Sequence, residues 1–204
     1  MDQRTPEWFA ARLGKVTASR VADVMARTKT GESASRKNYL AELVVERLTG
    51  RPTEGFTNAA MQWGTDTEPQ ARAAYEMETG QAVTEVGFVD HPDLFAGASP
   101  DGLVGDDGLI EIKCPNTATH IDTVLSGEIP AKYVTQMQWQ MACTGRQWCD
   151  FVSFDPRLPG KLQLFVKRCP RDPEAIEKME AEVATFLKEV SDKETALRAK
   201  CGDE

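Results

Sequence analysis

Asp101, Glu111 and Lys113 stand at a spacing that suits phosphodiester chemistry. Between Asp101 and Glu111, the run Gly105-Asp106-Asp107-Gly108 predicts a hairpin turn, which brings Asp101 back beside the strand that carries Glu111 and Lys113. Alternation along that strand puts Glu111 and Lys113 on one face and Ile110 and Ile112 on the other. Two carboxylates meeting at a strand end repel unless positive charge joins them. A divalent cation held by Asp101, Glu111 and the Ile112 carbonyl resolves that repulsion, using the oxygen ligands and open water positions that Mg²⁺ prefers. Lys113, on the same face, is placed to orient or deprotonate an attacking water, while the cation neutralises charge growing on a phosphate. A bare Glu-x-Lys is ordinarily the solvated face of a half-exposed strand, with aspartates such as Asp101 and Asp106 serving as turn residues. The tight hairpin and the two flanking isoleucines favour nuclease chemistry over that alternative.

The elements that must position these residues are readable from period and punctuation. Thr5 with Pro6 predicts a capped N-terminal helix, and Thr17 or Ser19 starts a second with Val21, Val24 and Met25 on one face. Arg27 to Lys37 is polar and carries a glycine, which predicts a mobile basic loop, followed by a helix over Tyr39–Leu48 that ends at Gly50. Ala59–Glu78 has helical spacing interrupted only by Gly64 and Pro69. The pattern then turns to short strands at Val83–Val89, Leu94–Ala98, Leu103–Val104 and Leu109–Cys114. A helix over Ala131–Cys143 follows, then strands at Cys149–Phe154 and Leu162–Val166. The chain closes on an amphipathic helix over Pro173–Lys200, with Ile176, Met179, Val183, Phe186, Leu187 and Val190 on its apolar stripe. With 204 residues, no internal repeat and no linker, residues 1–204 read as one α/β or α+β domain.

Composition narrows the function classes. Apolar residues make up 41% and charged residues 27%, the proportions of a folded protein rather than a disordered one. No run of about 18 apolar residues and no signal-like start is present, so neither a membrane span nor export is expected. Five cysteines, none in CxxC spacing, with only His91 and His120 as imidazoles, point to reduced thiols in a cytoplasmic protein. Hard oxygen ligands are then better candidates for a metal than a Cys/His zinc set. The net charge of −8 argues against an acidic partner until it is read by position. Residues 1–52 carry ten Lys/Arg against six Asp/Glu, whereas residues 172–204 carry five against ten. Electrostatic reach is roughly 8 Å at physiological salt, so the local sign decides what binds where.

The string Ser99-Pro100-Asp101-Gly102 followed by Leu109-Ile110-Glu111-Ile112-Lys113-Cys114-Pro115 resembles the phage lambda exonuclease family, the YqaJ-type viral recombinases of the PD-(D/E)XK nuclease superfamily. The resemblance runs from about Trp8 to Pro156. Its other blocks are Trp8 with Arg12, Leu13, Gly14, Lys15, Thr17, Ala18 and Ser19; Trp63-Gly64 with Glu68 and Ala71; and Tyr133 with Gln136 and Gln138 ahead of Phe154-Asp155-Pro156. It implies a restriction-endonuclease-like core, a central mixed sheet flanked by helices. It further implies that Asp101 and Glu111 bind Mg²⁺, with Mn²⁺ as a substitute and two ions per site, and that Lys113 serves the attacking water.

By the same resemblance, Glu68 joins the site near a second ion or holds a water, and Gln136 positions water or phosphate. Arg12 and Ser19, with Thr17 close by, match a grip on the 5′-phosphate of the cut strand; the bland alternatives are a surface ion pair for Arg12 and a simple N-cap for Ser19. The basic stretch Arg27, Lys29, Arg36 and Lys37 is a candidate contact to duplex backbone, and Met61 a candidate wedge where strands part. One departure stands out: six positions after the motif lysine, where a relative can carry arginine, this chain has Thr119, with His120 beside it.

The activity implied is 5′→3′ degradation of one strand of double-stranded DNA, releasing 5′-mononucleotides and leaving a 3′ strand for a single-strand annealing protein. The implied assembly is a homotrimeric ring, and the implied setting a phage or prophage gene in a bacterial host cell. Two alternatives are an endonuclease or single-strand nuclease with the same core, and a non-catalytic DNA-end binding module. The Arg12/Ser19 pair speaks against the first, and the intact Asp101, Glu111 and Lys113 against the second.

Overall fold

The computed structural model describes residues 2–29, 31–53 and 58–202. Thr5 caps the first helix, α1 (Pro6–Arg12), its hydroxyl accepting from the Trp8 backbone N–H. Strand β1 (Val16–Thr17) and a 3₁₀ turn (Ala18–Arg20) lead into α2 (Val21–Met25), where Val21 and Val24 are buried.

The segment expected as a basic loop is more ordered than its polarity suggests. It forms a small hairpin of β2 (Arg27–Thr28) and β3 (Gly31–Glu32), and then α3 (Ala34–Thr49) begins five residues earlier than the apolar pattern alone places it. The reason is Ser33, whose hydroxyl accepts from the Arg36 N–H and caps the helix. Arg36, expected in the loop, is therefore helical and 2% exposed.

After α4 (Ala59–Thr79) come the short strands β4 (Val83–Thr84), β5 (Val89–Asp90), β6 (Ala96–Ala98) and β7 (Gly102–Val104), then the longer β8 (Gly108–Lys113). Helices α5 (Thr117–Ser126) and α6 (Ala131–Thr144) cross over to β9 (Trp148–Phe154), which turns into β10 (Leu164–Pro170) and the terminal α7 (Pro173–Cys201). Helix α5 escapes the sequence reading because it is short and rich in β-branched residues; Asn116 starts it by accepting from the Thr119 N–H.

The main sheet has the order β10-β9-β8-β7-β4, with β8 and β9 parallel and the other pairs antiparallel. A second sheet, β1-β6-β5, pairs β1 parallel to β6. The period-2 pattern of β8 sorts its side chains as expected. Ile110 and Ile112 join Ala71 and Tyr75 of α4, together with Val152 and Phe154, in one core. On the opposite face Leu109 lies in a larger core with Phe151, Met137 and Trp139, to which α7 contributes Ile176, Met179, Val183, Phe186 and Val190. Burial of this apolar area, at about 25 cal/mol per Å², is what holds β8 between two layers of helix. Gly102 allows β7 to lie close to its neighbours, since a Cβ there would meet Val83 Cγ1 at 2.2 Å.

Candidate active site

The β7–β8 hairpin brings Asp101 against β8. Its Oδ2 accepts from the Ile112 backbone N–H at 2.6 Å, so the contact with Ile112 seen here is to the amide. Burial pushes the Asp101 carboxyl well above the usual range, and the nearby Glu111 and Glu68 push the same way against the opposing charge of Lys113.

Glu111 is fully buried, and its two oxygens are held separately. Oε1 accepts from Gln136 Nε2 at 2.7 Å and pairs with the Lys113 ammonium. Oε2 accepts from Gln140 Nε2 at 2.5 Å. Burial lowers the Lys113 pKa, but the charges of Glu111 and Asp101 outweigh it and the net shift is upward. Asp101, Glu111, Lys113 and Gln136 are thus brought together, with Ile112 joined to them through its amide rather than its carbonyl.

Two side chains of acidic character and a strand carbonyl are hard oxygen donors, and the mutual repulsion written into Asp101 is what a divalent cation relieves, so these residues fit one. Among the described residues there is no cluster of three or more His, Cys, Asp or Glu side chains able to hold a metal ion. Carbonyl and water oxygens would have to complete the shell.

Glu68 reaches the site differently. Its carboxylate is bonded at 3.1 Å by both Arg4 and Arg72, and Arg72 also donates to the Asp101 carbonyl at 3.5 Å. Glu68 and Asp101 line a polar cavity of about 320 Å³ with Gln3, Arg4, Arg72 and Glu85. Neither arginine stands out in the sequence, because a lone Arg near the N-terminus and an i, i+4 Glu-Arg pair are ordinary surface features.

Arg12, Thr17, Ser19 and Met61 meet on a second cavity of about 410 Å³, which Trp8 and Lys15 also line. The Arg12 guanidinium lies 4.0 Å from the Trp8 ring centroid and donates to Ser99 Oγ at 3.4 Å, and Trp8 Nε1 donates to the same hydroxyl at 2.8 Å. Among the described residues no carboxylate forms an ion pair with Arg12; burial lowers its pKa, opposed by the more distant Tyr39 and Glu46. Met61 is 55% exposed at the rim.

Lys29 lies apart, exposed in the β2–β3 turn, and lines neither cavity. Arg27 and Arg36 of the same segment are taken up by α7: Arg27 pairs with Glu182, and Arg36 with Glu189 at 2.8 Å and with Glu32. His120 offers no substitute for the arginine replaced by Thr119, since it is fully buried between Ser153 Oγ and the Leu162 carbonyl at 2.8 Å each.

Gln140, which holds Glu111 Oε2, is a further residue of this centre that the sequence did not single out. Its signal was its place one helical turn after Gln136, which acquires meaning only once α6 is known to lie over β8. Gln138, quoted in the motif, faces away and holds the Pro170 carbonyl and the Asp172 N–H.

Fold and site together define a nuclease of the PD-(D/E)XK type. The family model for the YqaJ-like viral recombinase domain matches residues 7–147, and the chain belongs to that family. Among solved structures, an alkaline exonuclease (LHK-Exo) from Laribacter hongkongensis is 60% identical, with a TM-score of 0.91 over 97% of this chain and 98% of that one. The same figures hold for the structure of LHK-Exo in complex with dAMP. A phage-related exonuclease from Haemophilus somnus 129PT shares the fold at 19% identity, with a TM-score of 0.74 over 90% of this chain and 96% of that one. No curated protein sequence matches this chain.

Proposed function

We propose that residues 1–204 form one nuclease domain that acts as a Mg²⁺-dependent 5′→3′ exonuclease on double-stranded DNA. The observation that carries this reading is Ser99. It receives hydrogen bonds from both Trp8 and Arg12 and lies two residues before Asp101, so the cationic cavity is tied directly to the carboxylate centre. A guanidinium with no carboxylate partner among the described residues, stacked on an indole in a cavity that Thr17 and Ser19 also line, suits a terminal phosphate.

Asp101, Glu111 and the Ile112 carbonyl would hold the cation, which supplies charge neutralisation at the scissile phosphate. Lys113 then orients the attacking water and donates to the phosphate. Gln136 fixes Glu111 Oε1 beside it, and Arg4 and Arg72 hold Glu68 at the rim. Met61 lies where an end entering the Arg12 cavity would meet an apolar side chain. Lys29 is a candidate contact to duplex backbone farther out.

The 60% identity to a protein named an alkaline exonuclease supports the activity, and that protein's complex with dAMP suits release of 5′-mononucleotides. A homotrimeric ring around DNA, with Mn²⁺ able to replace Mg²⁺ and two ions per site, completes the reading. So does a single-strand annealing partner for the remaining 3′ strand, in the cytoplasm of a bacterial host carrying the gene on a phage or prophage. Among the described residues no helix is long and apolar enough to cross a membrane.

End-labelled linear duplex, with and without Mg²⁺, tests the proposal. Mononucleotides released from the 5′ label only when Mg²⁺ is present are expected. Digestion of covalently closed circles, or first release of a 3′ label, would overturn it.

A further inference from the structure

We propose that Gln140, through its bond to Glu111 Oε2, is a positioning residue that fixes Glu111 so that only Oε1 is presented to the metal and water side of the site. The inference rests on the reading of Asp101 and Glu111 as metal ligands.

Glu111 lies on a strand between two helical layers, and its carboxylate has no solvent exposure. A buried carboxylate with one free oxygen can rotate about its last torsion, a soft and roughly two-fold rotor, and would then offer either oxygen or both. The structure removes that freedom. Gln136 and Lys113 both engage Oε1, whereas Oε2 receives Gln140 Nε2 at 2.5 Å from one turn deeper on α6.

Gln140 is itself fully buried, so its amide has few partners to choose from. Its Oε1 accepts from the Cys149 thiol of β9 at 3.9 Å. A carboxylate can only accept, so Glu111 fixes the amide orientation that aims Nε2 at Oε2, and the Cys149 thiol donates to the amide oxygen on the other side. Burial pushes the Cys149 thiol well up, which keeps its proton and therefore its donor. The amide thus serves as the hinge pin between a core thiol and the site carboxylate. Partners of metal-bound carboxylates of this kind typically change metal affinity or activity by 10–100-fold when removed.

The test is titration of full-length protein with Mn²⁺ alone, read by loss of the free Mn²⁺ paramagnetic signal, beside the thermal midpoint of each variant. Gln140→Met keeps length and apolar volume but deletes the donor. The expected result is Mn²⁺ binding weakened about tenfold, with Mg²⁺-dependent kcat lowered while KM for DNA ends is retained. Cys149→Ala keeps the bond to Glu111 but removes the donor that braces the amide oxygen, and is expected to weaken Mn²⁺ binding in the same direction by a smaller factor. It decides the matter if Gln140→Met fails to fold. Folded variants that bind Mn²⁺ as tightly as wild type would overturn the role of Gln140 while leaving the metal site intact. Wild-type protein that binds no Mn²⁺, or that loses none on Asp101→Ala, would overturn the metal site itself and this inference with it.

Discussion

The two halves of the site are built on opposite principles. At the β8–α6 centre Glu111 is fully buried, Asp101 and Lys113 are half-buried, and the carboxylates are spoken for: Asp101 by a backbone amide, Glu111 by two glutamines and a lysine. At the α1 cavity the central cation is stacked on a ring and bonded to a hydroxyl, and no carboxylate among the described residues pairs with it. Bond cleavage needs charges fixed before the substrate arrives, whereas recognition of an end needs a charge left uncommitted until a phosphate meets it.

Three substitutions probe this difference, and the largest effect belongs to the fixed centre. Lys113→Ala or Asp101→Ala is expected to lower the rate of duplex degradation by roughly 10²–10³-fold while DNA-end binding persists, measured by single-turnover digestion alongside a binding isotherm. Near wild-type digestion by Lys113→Ala would remove the assigned centre. Arg12→Ala should act on selection, costing about tenfold in preference for 5′-phosphorylated over 5′-hydroxyl ends, with both rates measured on the same duplex. Equal loss on both ends would make Arg12 a general backbone contact and erase the contrast.

The smallest effect concerns the latch beside the fixed centre. Burial raises the Asp155 pKa, but bonds from Arg157 and Thr117 outweigh it and hold the carboxyl at about 2, below the ordinary 3.8. Arg157 also reaches the Pro115 carbonyl just past β8. Because the folded pKa is depressed, the stability it contributes is present above about pH 4 and fades as pH falls towards 2. Thermal midpoints measured across that window should fall less steeply for Asp155→Asn than for wild type.

Much of the fixed centre was legible in the chain, because it is local. Asp101 and Glu111 are joined by a hairpin, and strand alternation decides which of Ile110, Glu111, Ile112 and Lys113 face the same way. The Thr5 cap and the α7 stripe were legible for the same reason. What escaped depends on distant packing. Gln140 matters only because the crossover lays α6 on β8. Arg4 and Arg72 matter only because the N-terminal segment and α4 meet at Glu68. Arg36 looks like loop charge until α7 is seen to supply Glu189. His120, adjacent to the position of a missing arginine, turned out to be a core residue because Ser153 and the Leu162 carbonyl claim both its ring nitrogens.

The pairing of Arg27 and Arg36 with Glu182 and Glu189 has a further meaning in terms of ions. Helix α7 acts as a built-in counterion, occupying with carboxylates the guanidinium groups that a phosphate backbone would otherwise recruit. Each such pair withdraws one phosphate contact, and with it about 0.9 from the slope of log affinity against log salt. The protein should therefore release fewer cations from DNA than its basic N-terminal segment suggests, and its grip on duplex should fade only gently as salt rises.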